Sequence, residues 1–195
     1  MEDNTYKKLW IDMFTQSVHR EGADKLLAWL EKSDFFTAPA STRYHLSEPG
    51  GLCQHSVHVY QRLYNIMKCV SENKGETLTE SQIESIAIVA LLHDVCKTNF
   101  YATETRNRKN EQGKWEQYAA YTVKDTLPYG HGEKSVYIVS GFMRLTREEA
   151  FAIRFHMGAF AEGDKNLCGQ AYEMFPLAMY THFADMEATH IDEVK

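Results

Sequence analysis

An unbroken apolar run, Ile86-Ala87-Ile88-Val89-Ala90-Leu91-Leu92, leads directly into His93-Asp94, with Val95, Cys96 and Lys97 after them. A segment this apolar belongs inside a protein, so it carries an imidazole and a carboxylate inward at its end. Both are costly to remove from water unless something compensates them. A divalent metal does so for both at once, taking a neutral His nitrogen together with a carboxylate oxygen. The rest of the chain must then supply more His and Asp residues to complete a site.

The chain has 195 residues. That length suits one domain, or one domain with an insertion. No apolar run is long enough to span a bilayer, and Met1-Glu2-Asp3-Asn4-Thr5 has no signal-peptide pattern, so the expected compartment is the cytoplasm and no membrane partner is expected. A net charge of −6 argues against an extended nucleic-acid surface but leaves room for a local basic pocket for one phosphate. Cys53, Cys69, Cys96 and Cys168 are scattered and form no C-x-x-C pair. They read as reduced, mostly buried thiols, not as a zinc site.

Hydrophobic periodicity predicts a mainly α protein. Leu9, Trp10, Met13, Phe14 and Val18 recur at helical spacing over about Thr5 to Arg20, and Gly22 breaks the pattern. A second helix is predicted from Ala23 to Lys32. Together residues 1–38 read as N-terminal helices packing on the core. Pro39, Pro49, Gly50 and Gly51 mark the stretch from Ser33 to Gly51 as an irregular loop. A long helix is predicted from near Leu52 towards Glu72, with His55 on its apolar stripe. Thr79, with Gln82 three residues on, is a capping box for a helix over about Glu80 to Val95.

Between about 101 and 124 the pattern changes. Alternating Thr, Tyr, Trp and Val residues flank a polar centre, Asn107 to Lys114. This predicts a small inserted β-hairpin. It reads as structural, with a lid or a homodimer contact as the alternatives. Leu127-Pro128-Tyr129-Gly130 is a turn. Helices are predicted over about Gly132 to Met143 and from Thr146, capped through Glu149, to about His156. A loop from Gly158 to Gly169 leads to a last helix over about Tyr172 to Thr189, in which Pro176 could mark the true start.

His55, His93, Asp94 and Asp185 form the first candidate ligand set, each on or at the end of a predicted helix. Neighbouring side chains on a helix diverge by about 100°, so His93 and Asp94 share an ion only at a helix end. His131, after the Gly130 turn, and His156, at a helix end, form a second set. With Asp94 lending its other oxygen, they could hold a second ion. Paired metals ~3.5–4 Å apart are common in phosphate ester hydrolysis. His182 lies one turn before Asp185 on the same face, a candidate substrate contact. His19, His58 and His190 read as hydrogen-bonded core histidines.

These residues resemble the HD-domain metal-dependent phosphohydrolase superfamily. Its pattern of a His, then His-Asp, then a distant Asp is matched in order by His55, His93-Asp94 and Asp185. Gly50-Gly51-Leu52-Cys53-Gln54-His55-Ser56 is similar to the family's Gly-Gly-Leu-Leu-Glu-His-Ser run. Leu91 to Lys97 is similar to Leu-Leu-His-Asp-Ile-Gly-Lys. His45 has a counterpart in many members, including HD-domain 3′–5′ exoribonucleases. The similarity runs from about Pro39 to Ala188 and is nearest to stand-alone HD hydrolases and those exoribonuclease domains. Cys96 departs from the frequent Gly. Met157 stands where dinuclear cyclic-di-nucleotide phosphodiesterases carry a second His, and their Gly-Tyr-Pro motif is missing, so cyclic-di-GMP is a poor substrate guess.

The resemblance implies a single HD-domain helical bundle over residues 1–195, carrying the inserted hairpin. It implies one or two divalent transition-metal ions (Fe, Mn, Ni, Co or Zn) that supply a nucleophile from water at neutral pH. The substrate would be a phosphomonoester or phosphodiester, a nucleotide or short oligonucleotide. Asp94 would be both ligand and catalytic residue, orienting the attacking water. Lys97, one turn on, could meet the phosphate as a point charge. Lys134 and Ser135 could do so at a helix N-terminus, with Arg43 and His45 on the opposite wall. Two other readings stay open: a non-catalytic metal- or nucleotide-binding module, and a di-iron site that activates oxygen.

Overall fold

In the computed structural model, Thr79 opens the apolar helix with a complete capping box: its hydroxyl accepts from the Gln82 N–H, and the Gln82 side chain accepts from the Thr79 N–H. The structure describes residues 4–158 and 165–194. Among these are eight α-helices and one antiparallel pair of strands. In chain order they are α1 (Asn4–Ser17), α2 (Ala23–Lys32), α3 (Gly51–Glu72), α4 (Glu80–Leu92), β1 (Tyr101–Lys109), β2 (Trp115–Val123), α5 (His131–Ser140), α6 (Arg147–Arg154), α7 (Lys165–Met174) and α8 (Pro176–Glu187).

The mainly α reading with one inserted hairpin therefore holds. The α4 side chains from Ile86 to Leu92 are all buried, which is why its periodicity is lost in a continuous apolar run. Around it, Trp10 and Phe14 of α1, Leu26 and Leu30 of α2, Leu52 and Leu63 of α3, Ile153 of α6 and Ala178 of α8 share one core. The N-terminal helices thus belong to the same packing unit as the site-bearing helices. Each fully buried Leu, Ile or Phe in that core contributes about 1.5–3 kcal/mol over its exposed state. No helix among the described residues is long and apolar enough to cross a membrane.

The hairpin pairs Tyr101 with Val123 through to Lys109 with Trp115. Asn110 closes its turn by accepting from the N–H groups of Gln112 and Lys114. Most of β1 is exposed. The Tyr101 hydroxyl ties its base to the body by donating to the Ala40 carbonyl at 3.2 Å.

Several boundaries differ from expectation. α4 ends at Leu92, not Val95, and Val95–Lys97 form a separate 3-10 turn. Asp94, at φ −104° and ψ 15°, bends the chain between them. The Cys96 N–H then leaves the helical ladder for the Ser135 hydroxyl, and Lys97 N–H bonds the Asp94 carbonyl. The expected loop from Gly158 to Gly169 and the helix start at Tyr172 are also corrected. Residues 159–164 lie outside the described residues, but α7 covers Lys165–Met174 and takes in both Gly169 and Tyr172. Its inward stripe is made of small residues, Cys168 and Ala171, with Tyr172 donating to the Phe155 carbonyl, so the periodicity was faint. Pro176, with no N–H to donate, stands at N1 of α8. His19 and His190, read as core histidines, are exposed. His19 lies in the link after α1, and His190 is on the outer side of a π-helical turn, Ala188–Asp192.

Candidate metal centre

Gly51 sets the position of the first histidine. A Cβ there would meet the Leu46 carbonyl oxygen at 2.1 Å, so only glycine lets the 33–50 loop lie this close to the start of α3. His55 follows in the second turn, with 1% of its side chain exposed. His93 caps the C-terminus of α4, and Asp94 is the next residue. The bend after Leu92 turns both side chains towards His55, the helix-end geometry that sharing an ion requires. Asp185 arrives from α8, its Oδ1 at 3.2 Å from His55 Nε2.

His131 begins α5, and His156 lies two residues past the end of α6. They are brought together by Gly132, where a Cβ would strike the Arg154 carbonyl oxygen at 2.1 Å. Their ring centroids are 5.1 Å apart. The two candidate sets therefore meet, and Asp94 stands between them. Its Oδ2 lies 3.6 Å from His93 Nε2 and 3.8 Å from His55 Nε2. Its Oδ1 lies 2.8 Å from His131 Nε2 and 3.6 Å from His156 Nε2. Four groups that could hold a metal overlap here: His45 with His55 and Glu193, His55 with His93 and Asp94, His93 with His156 and Asp185, and Asp94 with His131 and His156. Within each, the donor atoms lie within 4.8 Å of one another.

The tautomers fit ligation. Nδ1 of His93 donates to the Ala90 carbonyl at 2.8 Å, and Nδ1 of His156 donates to the Ile153 carbonyl at 2.7 Å. A neutral imidazole with its proton on Nδ1 presents a lone pair at Nε2. His156 Nε2 is buried with no hydrogen-bond partner among the described residues, an orphan that a cation would satisfy. The charge balance agrees. Asp94, Asp185 and a third carboxylate, Glu193, converge on these rings, and Lys97 Nζ lies 2.6 Å from Asp94 Oδ2. Burial opposes charge on His55, but hydrogen bonding to Asp185 and Glu193 outweighs it and raises the imidazole to about 10. Burial pushes His93 down to about 3. Burial also resists ionisation of Asp94, yet Lys97 and the surrounding imidazoles hold it well below the usual carboxylate range. The cluster is rich in carboxylate, with Asp94, Asp185 and Glu193 all facing its imidazoles.

The other candidates are placed as follows. Lys97 is part of the cluster through Asp94. His45 lies over His55, ring centroids 4.9 Å apart, and its Nε2 is buried without a hydrogen-bond partner among the described residues. Burial, with His55 and Lys97 nearby, lowers His45 to about 4. His182 donates from Nδ1 to the His156 carbonyl at 2.7 Å. Arg43 is exposed, with its guanidinium over the Tyr44 ring. Lys134 is nearly buried, its ammonium 2.5 Å from Asp125 and over the Phe100 ring. Ser135 is buried and accepts from the Cys96 N–H. Open grooves of about 490 Å³ beside Arg108 and Asn110 and about 460 Å³ beside Arg20 and Phe142 do not touch the cluster.

Glu193 and the contact of Cys96 with His131 are not marked in the sequence. Glu193 follows the π-helical turn, has no exposed side-chain surface and accepts from His55 Nδ1 at 3.1 Å. In sequence it is one acid in an Ile-Asp-Glu-Val stretch, and nothing local marks it as buried. Cys96 Sγ lies 3.3 Å from His131 Nδ1, a contact that only the 3-10 turn creates. No family model, curated protein or solved structure matches the chain.

Proposed function

We propose that the protein is a metal-dependent phosphohydrolase of the HD type, acting on a small phosphorylated substrate, a nucleotide or short oligonucleotide. The observation that carries the reading is the bridging placement of Asp94, one oxygen facing His55 and His93 and the other facing His131 and His156. Paired His-carboxylate sites sharing one carboxylate suit transition-metal ions and phosphate ester hydrolysis. His55, His93, Asp94 and Asp185 would hold one ion, and Asp94, His131 and His156 a second. When bound, such ions acidify water to give a nucleophile at neutral pH and neutralise charge on phosphate oxygens.

The chain's own residues supply the rest. Lys97 keeps its ammonium beside the cluster, with 14% of its side chain exposed, and offers a point charge to an entering phosphate. His45, from the 33–50 loop, offers a ring nitrogen with no hydrogen-bond partner among the described residues. Lys134 and Ser135, expected to meet the phosphate, both have partners within the chain. Ser135, accepting from the Cys96 N–H, ties α5 to the 3-10 turn, and Lys134, paired with Asp125, ties α5 to the segment after β2. The order of the ligands along the chain and the Gly-Gly-Leu and His-Asp-x-x-Lys contexts favour the HD type over an unrelated metal site.

The test is metal analysis of freshly purified protein, then a nucleotide panel with phosphate release measured under Mn²⁺, Fe²⁺, Co²⁺ and Ni²⁺. The expected result is bound transition metal and metal-dependent release that His93→Ala abolishes. A His93→Ala protein that keeps its metal and full activity overturns the reading.

A further inference from the structure

His93 and His156 are oriented by backbone carbonyls of their own helical turns, but His55 is not. Among the described residues its Nδ1 meets only a side chain, the Glu193 carboxylate, with both oxygens at 3.1 Å. Glu193 follows α8 and the π-helical turn, both of which pack against α3. The same carboxylate accepts from His58 Nδ1 at 2.9 Å, and His58 Nε2 reaches the Tyr6 hydroxyl of α1 at 3.2 Å. His45 Nε2 is 3.9 Å from the second oxygen. The Glu193 side chain has no exposed surface. A buried carboxylate costs several kcal/mol unless charge-assisted hydrogen bonds compensate it, and here they come from two imidazoles of α3, one turn apart.

We propose that Glu193 is a positioning residue for His55: it accepts a hydrogen bond from Nδ1–H, fixes the ring, and so turns Nε2 towards Asp185, His93 and Asp94. His58 and Tyr6 hold the carboxylate in register from the other side. The proposal rests on the metal-centre reading above, because its effect is on an ion bound through His55 Nε2. Groups behind a metal-ligating histidine typically change affinity by about 10–100-fold when lost.

The experiment is a Mn²⁺ titration of the full chain, read by the electron paramagnetic resonance of free Mn²⁺, for wild type, Glu193→Leu and Glu193→Gln. Glu193→Leu is expected to weaken one ion by roughly 10–100-fold and leave the other unchanged. Glu193→Gln keeps one oxygen able to accept from His55 and is expected to recover most of that loss. Thermal melting in chelator reports folding separately. A purely structural Glu193 would lower the melting temperature of Glu193→Leu without changing Mn²⁺ affinity, and that result overturns the proposal. Wild type that binds no Mn²⁺ overturns instead the functional reading on which it rests. If Glu193→Leu does not fold, nitrogen-proton correlation of ¹⁵N-histidine wild type with Zn²⁺ decides. The expected signature is a proton on His55 Nδ1 and a metal-shifted Nε2, and the reverse tautomer overturns the proposal.

Discussion

Asp94 Oδ1 and His131 Nε2 lie 2.8 Å apart, closer than any other ring nitrogen comes to this carboxylate. The contact joins the end of α4 to the start of α5, and it ties the second histidine pair to the carboxylate that also faces the first. Asp94→Asn keeps the shape but removes the charge shared by both sides. Phosphate release is expected to fall more than about 100-fold, beyond the 10–100-fold of losing an outer partner, with loss of both ions in metal analysis.

His131→Ala and His156→Ala are expected to behave differently from His93→Ala. They remove the two imidazoles nearest Asp94 Oδ1, so metal content should fall from two ions per chain to one. Metal analysis of the three variants checks this. Two ions retained in His131→Ala/His156→Ala would leave the second pair without a ligand role.

Gly132→Ala places a methyl group against the Arg154 carbonyl oxygen. Backbone must shift to admit it. Overpacking of this kind costs about 1–3 kcal/mol, and the shift separates His131 from His156. Denaturant unfolding should show the loss, and metal analysis should show reduced second-ion occupancy.

Metal should stabilise the fold. An ion at about 100 times its dissociation constant adds ~2.7 kcal/mol. In a chain of this size that raises the melting temperature by about 5–10 °C. Scanning calorimetry with and without chelator measures it.

Away from the site, Arg20 spans Glu84 and Glu149, its Nη1 2.6 Å from Glu149 Oε2. Burial resists ionisation of Glu149, but hydrogen bonds from Arg20, Ser85 and the Thr146 N–H lower its carboxyl below the usual value. A carboxyl depressed in the folded state stabilises above its unfolded pKa, ~4.3 for Glu, and loses that contribution as pH falls through its folded value. Glu149→Gln should cost about 3 kcal/mol at pH 7, the low end for breaking a buried pair, because Arg20 keeps some solvent contact. The gap to wild type should narrow as pH drops from about 5 towards 2. Urea unfolding across that range checks the sign.

The features legible in sequence were those with local causes. The capping boxes at Thr79 and Thr146, the break at Gly22 and the alternation around Trp115 each arise within a few residues, and the structure has them where expected. The imidazoles and acids His55, His93, Asp94, His131, His156 and Asp185 could be named from chain order, and they do converge. What was hidden depends on tertiary contact. Glu193 looks like a surface acid until the chain returns beneath α3. Lys134 looks like a free cation until Asp125 meets it. The α7 helix hid because small residues make its inner stripe.

The most direct measurement is anomalous X-ray diffraction at the manganese edge from crystals of Mn²⁺-loaded protein. Two peaks are expected, one among His55, His93 and Asp185 and one between His131 and His156, with Asp94 reaching both. No anomalous peak within bonding reach of Asp94 would contradict a shared metal centre.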